Sequence, residues 1–209
     1  MTAAVAAIVL AAGESRRMGR AKALLDWDGK PLLQHQIDEL SAAGCEPIVV
    51  VLGHDADRIA AGIRRDGGCR VVHNREYASG RASSLRAGAD ALPDDAAAVV
   101  VASVDTPLRS ATVGALIEAW RGRADPGAII VPRHAGRNGH PSLFGGSLLP
   151  ELRAVREESQ GLRAIRRAHT DATAFVDVDD PLATLNLNTP EAYESARRAH
   201  TSDGRARTG

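Results

Sequence analysis

Residues 10 to 22 of the chain read Leu10-Ala-Ala-Gly-Glu-Ser-Arg-Arg-Met-Gly-Arg-Ala-Lys22. Leu10, Ala11, Ala12 and Gly13 end an apolar run that starts at Val5, and the alanines and glycine after it let backbone amides approach a ligand closely. Arg17 and Lys22 add the positive charge that a triphosphate needs. Lys22 and Lys30 are the two lysines among 26 Lys plus Arg, so a lysine in this glycine-flanked loop departs from the chain's preference for arginine. The loop is not a Walker A motif: Gly13 and Gly19 are one residue too far apart, and neither Ser nor Thr follows Lys22. It is not a dinucleotide fingerprint either, because GxGxxG is absent. Two readings remain, an anion site and a solvated basic loop.

Other residue types add chemistry at a distance along the chain. Asp105 follows the apolar run 96–103 and precedes Thr106 and Pro107. A carboxylate there suits Mg²⁺, which takes oxygen ligands, keeps several waters and needs one or two protein groups. An aspartate before Pro107 is also a common turn or cap residue. His140, between Gly139 and Pro141, reads either as structural or as a neighbour of a bound group. The arginines 153, 156, 163, 166 and 167 read as a solvated helix face or, in part, as a dock for an anionic acceptor. The remaining histidines show no ligand spacing. Cys45 and Cys69 are too few for a disulfide framework or a zinc site, and read as small buried side chains.

The elements that must position these groups alternate in type. Buried strands are expected at 5–10, 47–52, 70–72, 96–103, 128–131 and 173–178. Pro31 opens a helix with Leu32, Leu33, Gln36, Ile37 and Leu40 on one face, closed by Gly44. Asp55 and Ser110 are expected to cap helices, the first reaching about residue 65. Further helices are expected near 83–92, 148–156 and 161–169, with a glycine-rich loop at 133–141. Thr189 caps a last helix that has Pro190 at its first position. Strands alternating with helices predict a three-layer α/β/α, Rossmann-like fold with a mainly parallel sheet. One domain is expected over 1–200, with a disordered tail over 201–209. Ligands bind such sheets beyond the carboxyl ends of the strands. Segments 13–22, 103–107 and 186–189 all fall there.

The spacing LAAG-x-S-x-R-MG-x-x-K resembles the signature of the molybdenum-cofactor nucleotidyltransferases, the MobA and MocA group of NTP-transferases. Asn74-Arg-Glu-Tyr-Ala-Ser-Gly80 with Ser83-Ser-Leu-Arg-Ala-Gly88 is similar to the family's N-x-x-(W/Y)-x-x-G…SL-x-x-G segment. Val104-Asp-Thr-Pro107 resembles its metal-binding D-x-P, Gly139-His-Pro141 its GHP, and Asn186-Leu-Asn-Thr-Pro-Glu191 its closing N/D-TPE. The resemblance implies that Leu10, Ala11, Ala12 and Gly13 recognise the base. It implies that Arg17 and Lys22 hold the phosphates, with Lys22 at the reacting α-phosphate. Asp105 would ligate Mg²⁺, with Asn188 as a weaker or water-mediated ligand. Asn74, Ser83 and Ser84 would face nucleotide or acceptor, and His140 the acceptor. Two positions depart from the pattern. Ser159 stands where the family has an aspartate, and Asn188 replaces a carboxylate by an amide, which weakens metal binding.

The resemblance implies a Mg²⁺-dependent enzyme that moves CMP or GMP from CTP or GTP to a phosphate-bearing acceptor such as molybdopterin, releasing pyrophosphate. LAAG and GHP match the cytidylyltransferase branch, and NxNTPE the guanylyltransferase branch. The alternatives are the same transfer to a sugar phosphate or another small phosphate, and a weakly catalytic module that carries the molybdenum cofactor to a client molybdoenzyme. Bulk composition bounds the partners. Net charge is zero and aromatic content 3%, which argues against a nucleic-acid partner. No apolar run reaches the length of a membrane span. The uncharged stretch 2–13 has its charges after it, the wrong order for secretion. A cytoplasmic location is expected.

Overall fold

The computed structural model describes residues 4–64, 68–157 and 161–206. In chain order the strands are β1 (Val5–Ala11), β2 (Asp26–Trp27), β3 (Lys30–Pro31), β4 (Cys45–Leu52), β5 (Cys69–His73), β6 (Ala98–Ser103), β7 (Ile129–His134), β8 (Arg137–Asn138), β9 (Ser142–Gly145) and β10 (Thr173–Asp177). The helices are α1 (Leu32–Ala42), α2 (Ala56–Ala61), α3 (Arg81–Asp90), α4 (Ser110–Arg121), α5 (Leu149–Ala154), α6 (Leu162–Ala168) and α7 (Pro190–Ala206). The main sheet runs β10-β7-β9-β6-β1-β4-β5, with β8 paired to β7. β5, β4, β1 and β6 are mutually parallel, as are β7 and β10. β9 is inserted antiparallel between β6 and β7.

Helices cover both faces, giving the three-layer α/β/α arrangement. Alternate β1 side chains point to opposite layers. Ala7, Val9 and Ala11 pack with Leu33, Ile37, Val113 and Leu116 from α1 and α4. Ala6, Ile8 and Leu10 pack with Leu85, Leu149, Leu152 and Ile165 from α3, α5 and α6. A smaller third cluster joins Met18, Leu25 and Trp27 to Leu187, Tyr193 and Ala196, and so holds α7 against the loop after β1. Cys45 and Cys69 are both buried, as composition suggested.

Several expectations need correction. Asp55 precedes α2 but makes no side-chain cap bond, because its backbone is left-handed (φ 53°); its carboxylate lies near His54 and Arg58 instead. α2 stops at Ala61, before Gly62. Ser110 is the first residue of α4 rather than its cap; the Glu39 carboxylate accepts from the Ser110 N–H. The segment expected as a glycine-rich loop holds a β7–β8 hairpin. α7 continues to Ala206, beyond Thr201 where a tail was expected, since no proline interrupts the helix. Residues 207–209 lie outside the described residues, as does Ser159.

Two features of the core yield predictions. Gly88 lets α3 lie close on the sheet: a Cβ there would meet Ile8 Cγ2 at 2.6 Å and Val51 Cγ2 at 3.0 Å. Both neighbours are β-branched and stiff. Overpacking of about 1–3 kcal/mol therefore outweighs the gain of about 1 kcal/mol from alanine's helix propensity. Gly88→Ala is expected to lower the melting temperature measurably, and a raised one would contradict this packing. His35 of α1 is buried, and its Nε2 lies 2.9 Å from the Leu108 carbonyl oxygen. A carbonyl only accepts, so Nε2 carries the proton. Burial holds the imidazole's pKa below its ordinary 6.5, with Lys30 and His200 adding to the effect. The folded state thus takes up a proton less readily than the unfolded chain. Its contribution is complete above 6.5 and is lost as pH falls below that value. Melting from about pH 7 to about pH 5 should show a steeper loss for the wild type than for His35→Gln.

Candidate active site

β1, β4, β5 and β6 all end on one edge of the sheet, and their outgoing loops form a cleft there. Its walls come from Leu10 near the end of β1 and Ala12, Gly13, Ser15 and Lys22 after it, Tyr77, Gly80, Arg81 and Ser84 after β5, and Ser103 and Asp105 at the end of β6. The cleft measures about 270 Å³. The loops approach closely at Gly53, where a Cβ would lie 2.6 Å from Tyr77 Cβ and 2.8 Å from the Ala12 carbonyl oxygen. The loop after β1 folds on itself: Ser15 adopts φ 53° and Gly19 φ 64° around a 3₁₀ turn. The Ser15 hydroxyl accepts from the Lys22 N–H at 3.2 Å.

Lys22 is the electrostatic centre. Its ammonium donates to Asn188 Oδ1 at 2.6 Å and lies 4.0 Å from Asp105 Oδ2. Burial depresses its pKa, Asp105 opposes the shift, and Arg17 and Arg81 reinforce it. The Ser103 hydroxyl donates to Asp105 Oδ1 and orients the carboxylate. The Leu187 N–H donates to the Asp105 carbonyl at 2.8 Å, tying the segment with Asn188 to the end of β6. Buried Gln36 of α1 braces the same turn from below, donating to the Ser103 and Thr106 carbonyls at 3.0 and 2.7 Å. Asp105 and Asn188 could hold a hard cation. Among the described residues, no group of three or more His, Cys, Asp or Glu is placed to do so.

The structure brings Leu10, Ala12, Gly13, Lys22, Ser84 and Asp105 to the cleft, with Asn188 on Lys22. Ala11 is the buried last residue of β1. Arg17 is exposed on the 3₁₀ turn, within electrostatic reach of Lys22. Asn74 and Ser83 are not wall residues. The Asn74 amide donates to Ser83 and Ser84 at 2.9 and 3.0 Å and accepts from the Glu76 N–H. They stiffen the loop that presents Tyr77 and Arg81. Sequence reasoning missed Ser15, Tyr77, Ser103 and Arg81. Arg81 had a signal: it directly follows Gly80 inside the segment with the Asn74 and Ser83 motifs.

A second cleft, about 480 Å³, adjoins the first and shares Leu10 and Arg81 with it. His140 lines it with Asn138, Glu157, Arg163 and Arg166 over a floor containing Leu85 and Phe144. Burial lowers the His140 pKa and Arg81 and Arg166 lower it further, while Asp105 opposes them. The imidazole is therefore held neutral. Thr189 caps α7 as expected, its hydroxyl accepting from the Ala192 N–H at 3.2 Å.

The chain is similar to known proteins over most of its length. The chain is 32% identical over 196 residues to nicotine blue oxidoreductase of Paenarthrobacter nicotinovorans, spanning 90% of this chain and 93% of that protein. It is 26% identical to the molybdenum cofactor cytidylyltransferase of Escherichia coli over 95% of this chain and 98% of that one. The crystal structure of Rv0371c from Mycobacterium tuberculosis superposes with a TM-score of 0.80 at 26% identity, covering 94% of this chain and all of that one. The model of the MobA-like NTP transferase domain matches residues 7–173. With that match, and with the loop, Lys22 and Asp105 meeting in one cleft, the chain belongs to the MobA-like NTP-transferase family of nucleotidyltransferases.

Proposed function

We propose that the protein moves a nucleoside monophosphate from a nucleoside triphosphate to a phosphate-bearing acceptor, with Mg²⁺ and with release of pyrophosphate. CTP is the first candidate donor and GTP the second, and molybdopterin is the first candidate acceptor. A molybdoenzyme is the candidate client for the product. The observation that carries the reading is the Lys22 ammonium, set between Asn188 and Asp105 beside the small-residue loop. The similarity to the Escherichia coli cytidylyltransferase supports the choice of donor and acceptor.

The residues present fit Mg²⁺. The oxygens of Asp105 and Asn188 already face a cation, and a magnesium ion completes its shell with water and substrate phosphate. Asp105 and Asn188 would hold it. When bound, the ion neutralises phosphate charge. The chain's own groups do the positioning. Backbone amides from 10 to 13 cradle the nucleotide, Lys22 meets the α-phosphate, and Arg17 reaches the outer phosphates. An acceptor phosphate oxygen attacks the α-phosphorus as the bond to the β-phosphate bridge breaks. That phosphate is already ionised, so no strong base is required and catalysis rests on orientation and charge. Neutral His140 offers the acceptor a hydrogen bond without repelling the arginines around it.

A second reading, oxidoreductase activity, rests on the similarity to nicotine blue oxidoreductase. The absence of a dinucleotide fingerprint from the loop weighs against it. Oxidation of added NADH or NADPH, with no pyrophosphate released from any NTP, would favour it.

Thermal shift against ATP, CTP, GTP and UTP, with and without Mg²⁺, is the first test. A ligand at about 100 times its Kd adds about 2.7 kcal/mol of stability. The largest shift is expected with CTP and Mg²⁺, and no shift with any nucleotide would sink the reading. Lys22→Ala removes one donor to the transition state, a loss of about 3–4 kcal/mol or about 10²–10³ in kcat; near-normal turnover would show that Lys22 has another role. Asp105→Ala should abolish the response of pyrophosphate release to Mg²⁺.

A further inference from the structure

The last helix lies along the segment that carries Lys22 and is tied to it at both ends. At the near end the Lys22 ammonium donates to Asn188, just ahead of Pro190, the first residue of α7. Asp105, at 4.0 Å, lies beyond hydrogen-bond distance, so Asn188 fixes the direction of the ammonium. At the far end His200 Nε2 donates to Asp28 Oδ2 at 2.6 Å. The His200 ring also stacks on buried Trp27, with centroids 5.1 Å apart and planes 26° from parallel. Between the ends, the Tyr193 hydroxyl donates to the Asp26 carbonyl. Arg197 lies 3.7 Å from the Asp26 carboxylate, and Arg20 lies over the Tyr193 ring at 5.5 Å.

The sequence builds both sides of this clasp. Tyr193, Ala196 and His200 are spaced three and four apart and so share one face of α7. From Pro190 to His200 the helix rises about 15 Å, which carries the imidazole far from the reacting centre. Asp28 and Gly29 have φ of 53° and 76°, the left-handed pair that suits a two-residue turn between antiparallel β2 and β3. That turn presents the Asp28 carboxylate to His200. Met18, Leu25 and Leu187 pack in the same cluster as Trp27 and Tyr193, so the two ends are joined by a common apolar layer. Asp28 is 48% exposed, and competition from water limits the strength of its pair with His200.

Building on the transfer reaction above, in which Lys22 meets the α-phosphate, we propose that Asp28 and His200 are positioning residues for Lys22. Their bond, with the stack on Trp27, fastens the far end of α7 against residues 18–28 and so keeps Asn188 on the ammonium. When the clasp opens, α7 lifts, Asn188 leaves Lys22, and the lysine is free to turn to solvent. The pair touches no reacting atom and acts only through Asn188.

Lysine acetylation reads the clasp directly, because Lys22 and Lys30 are the two lysines of the chain. Lys30 donates to Asp38 of α1 at 2.6 Å and serves as the internal reference. The full chain is treated with acetic anhydride, and the ratio of Lys22 to Lys30 labelling is read by mass spectrometry. Asp28→Gly removes the carboxylate and keeps the left-handed turn; it should raise the ratio about fivefold, the upper range for a partly exposed pair. His200→Ala should raise it further, since it also removes the ring on Trp27 while favouring the helix itself. Asp28→Asn keeps both turn and acceptor and should stay near the wild type. In Asp28→Gly and His200→Ala, kcat for pyrophosphate release should fall as labelling rises, while KM for the triphosphate holds. A ratio unmoved in both variants, even with a lowered melting temperature, would overturn the proposal. So would an Asp28→Asn ratio as high as that of Asp28→Gly, or turnover that holds while the ratio rises. Nucleotide-induced thermal shifts of the wild type separate the two claims. Their absence counts against nucleotidyl transfer, whereas an unmoved labelling ratio counts against this clasp alone.

Discussion

β1 is the constraint on which the site depends. It is buried over its whole length and must satisfy its backbone on both edges, which β4 and β6 do in parallel register. Leu10 lies opposite Ser103 on one side and Val51 on the other. That register sends the small-residue loop out beside the turn that carries Asp105. A one-residue slip would exchange the two faces of the strand and separate the loop from the carboxylate. The aliphatic core follows from the same demand. Thin side chains such as Ala6, Ala7 and Val9 let helices lie close on a sheet with few aromatic residues.

Charge is distributed by a simple rule on this scaffold. Arginines that support the fold have a carboxylate or a carbonyl, as Arg153 does with Asp94 and Leu92. Lys22 at the first cleft is held by Asn188 and Asp105, and burial first, then neighbouring arginines, lowers the pKa values of Lys22, His140 and Arg166. An anion placed beside these groups would relieve the repulsion among them. Neutral His140 limits the cost by keeping one more positive charge out of the second cleft.

Much of this was legible in the residues. Continuous apolar runs marked the parallel strands, and the stripe from Leu32 to Leu40 marked α1. β9 was not legible, because Ser142 to Gly145 is four residues long and its antiparallel place depends on the β6 and β7 edges it fills. The caps at Asp55 and Ser110 were misread because residue type alone does not reveal a left-handed backbone or a carboxylate arriving from α1. Motif spacing singled out Lys22, Asp105 and Asn188, and the fold brings the three together. It could not separate Ser84, on the cleft wall, from Asn74 and Ser83, which brace the loop behind it. It also passed over Arg81, whose importance lies in being shared by two cavities.

The bond from Lys22 to Asn188 joins residues 166 positions apart, and nearby ties from Tyr193 to Asp26 and from His200 to Asp28 span similar separations. The site is thus closed by some of the most distant contacts in the chain. Such contacts bear the largest loop-closure cost and form after local structure. During synthesis the loop and Asp105 emerge long before Asn188. The growing chain therefore carries the walls of the first cleft with an unanchored lysine, and Lys22 gains its Asn188 partner only when the segment before α7 folds back.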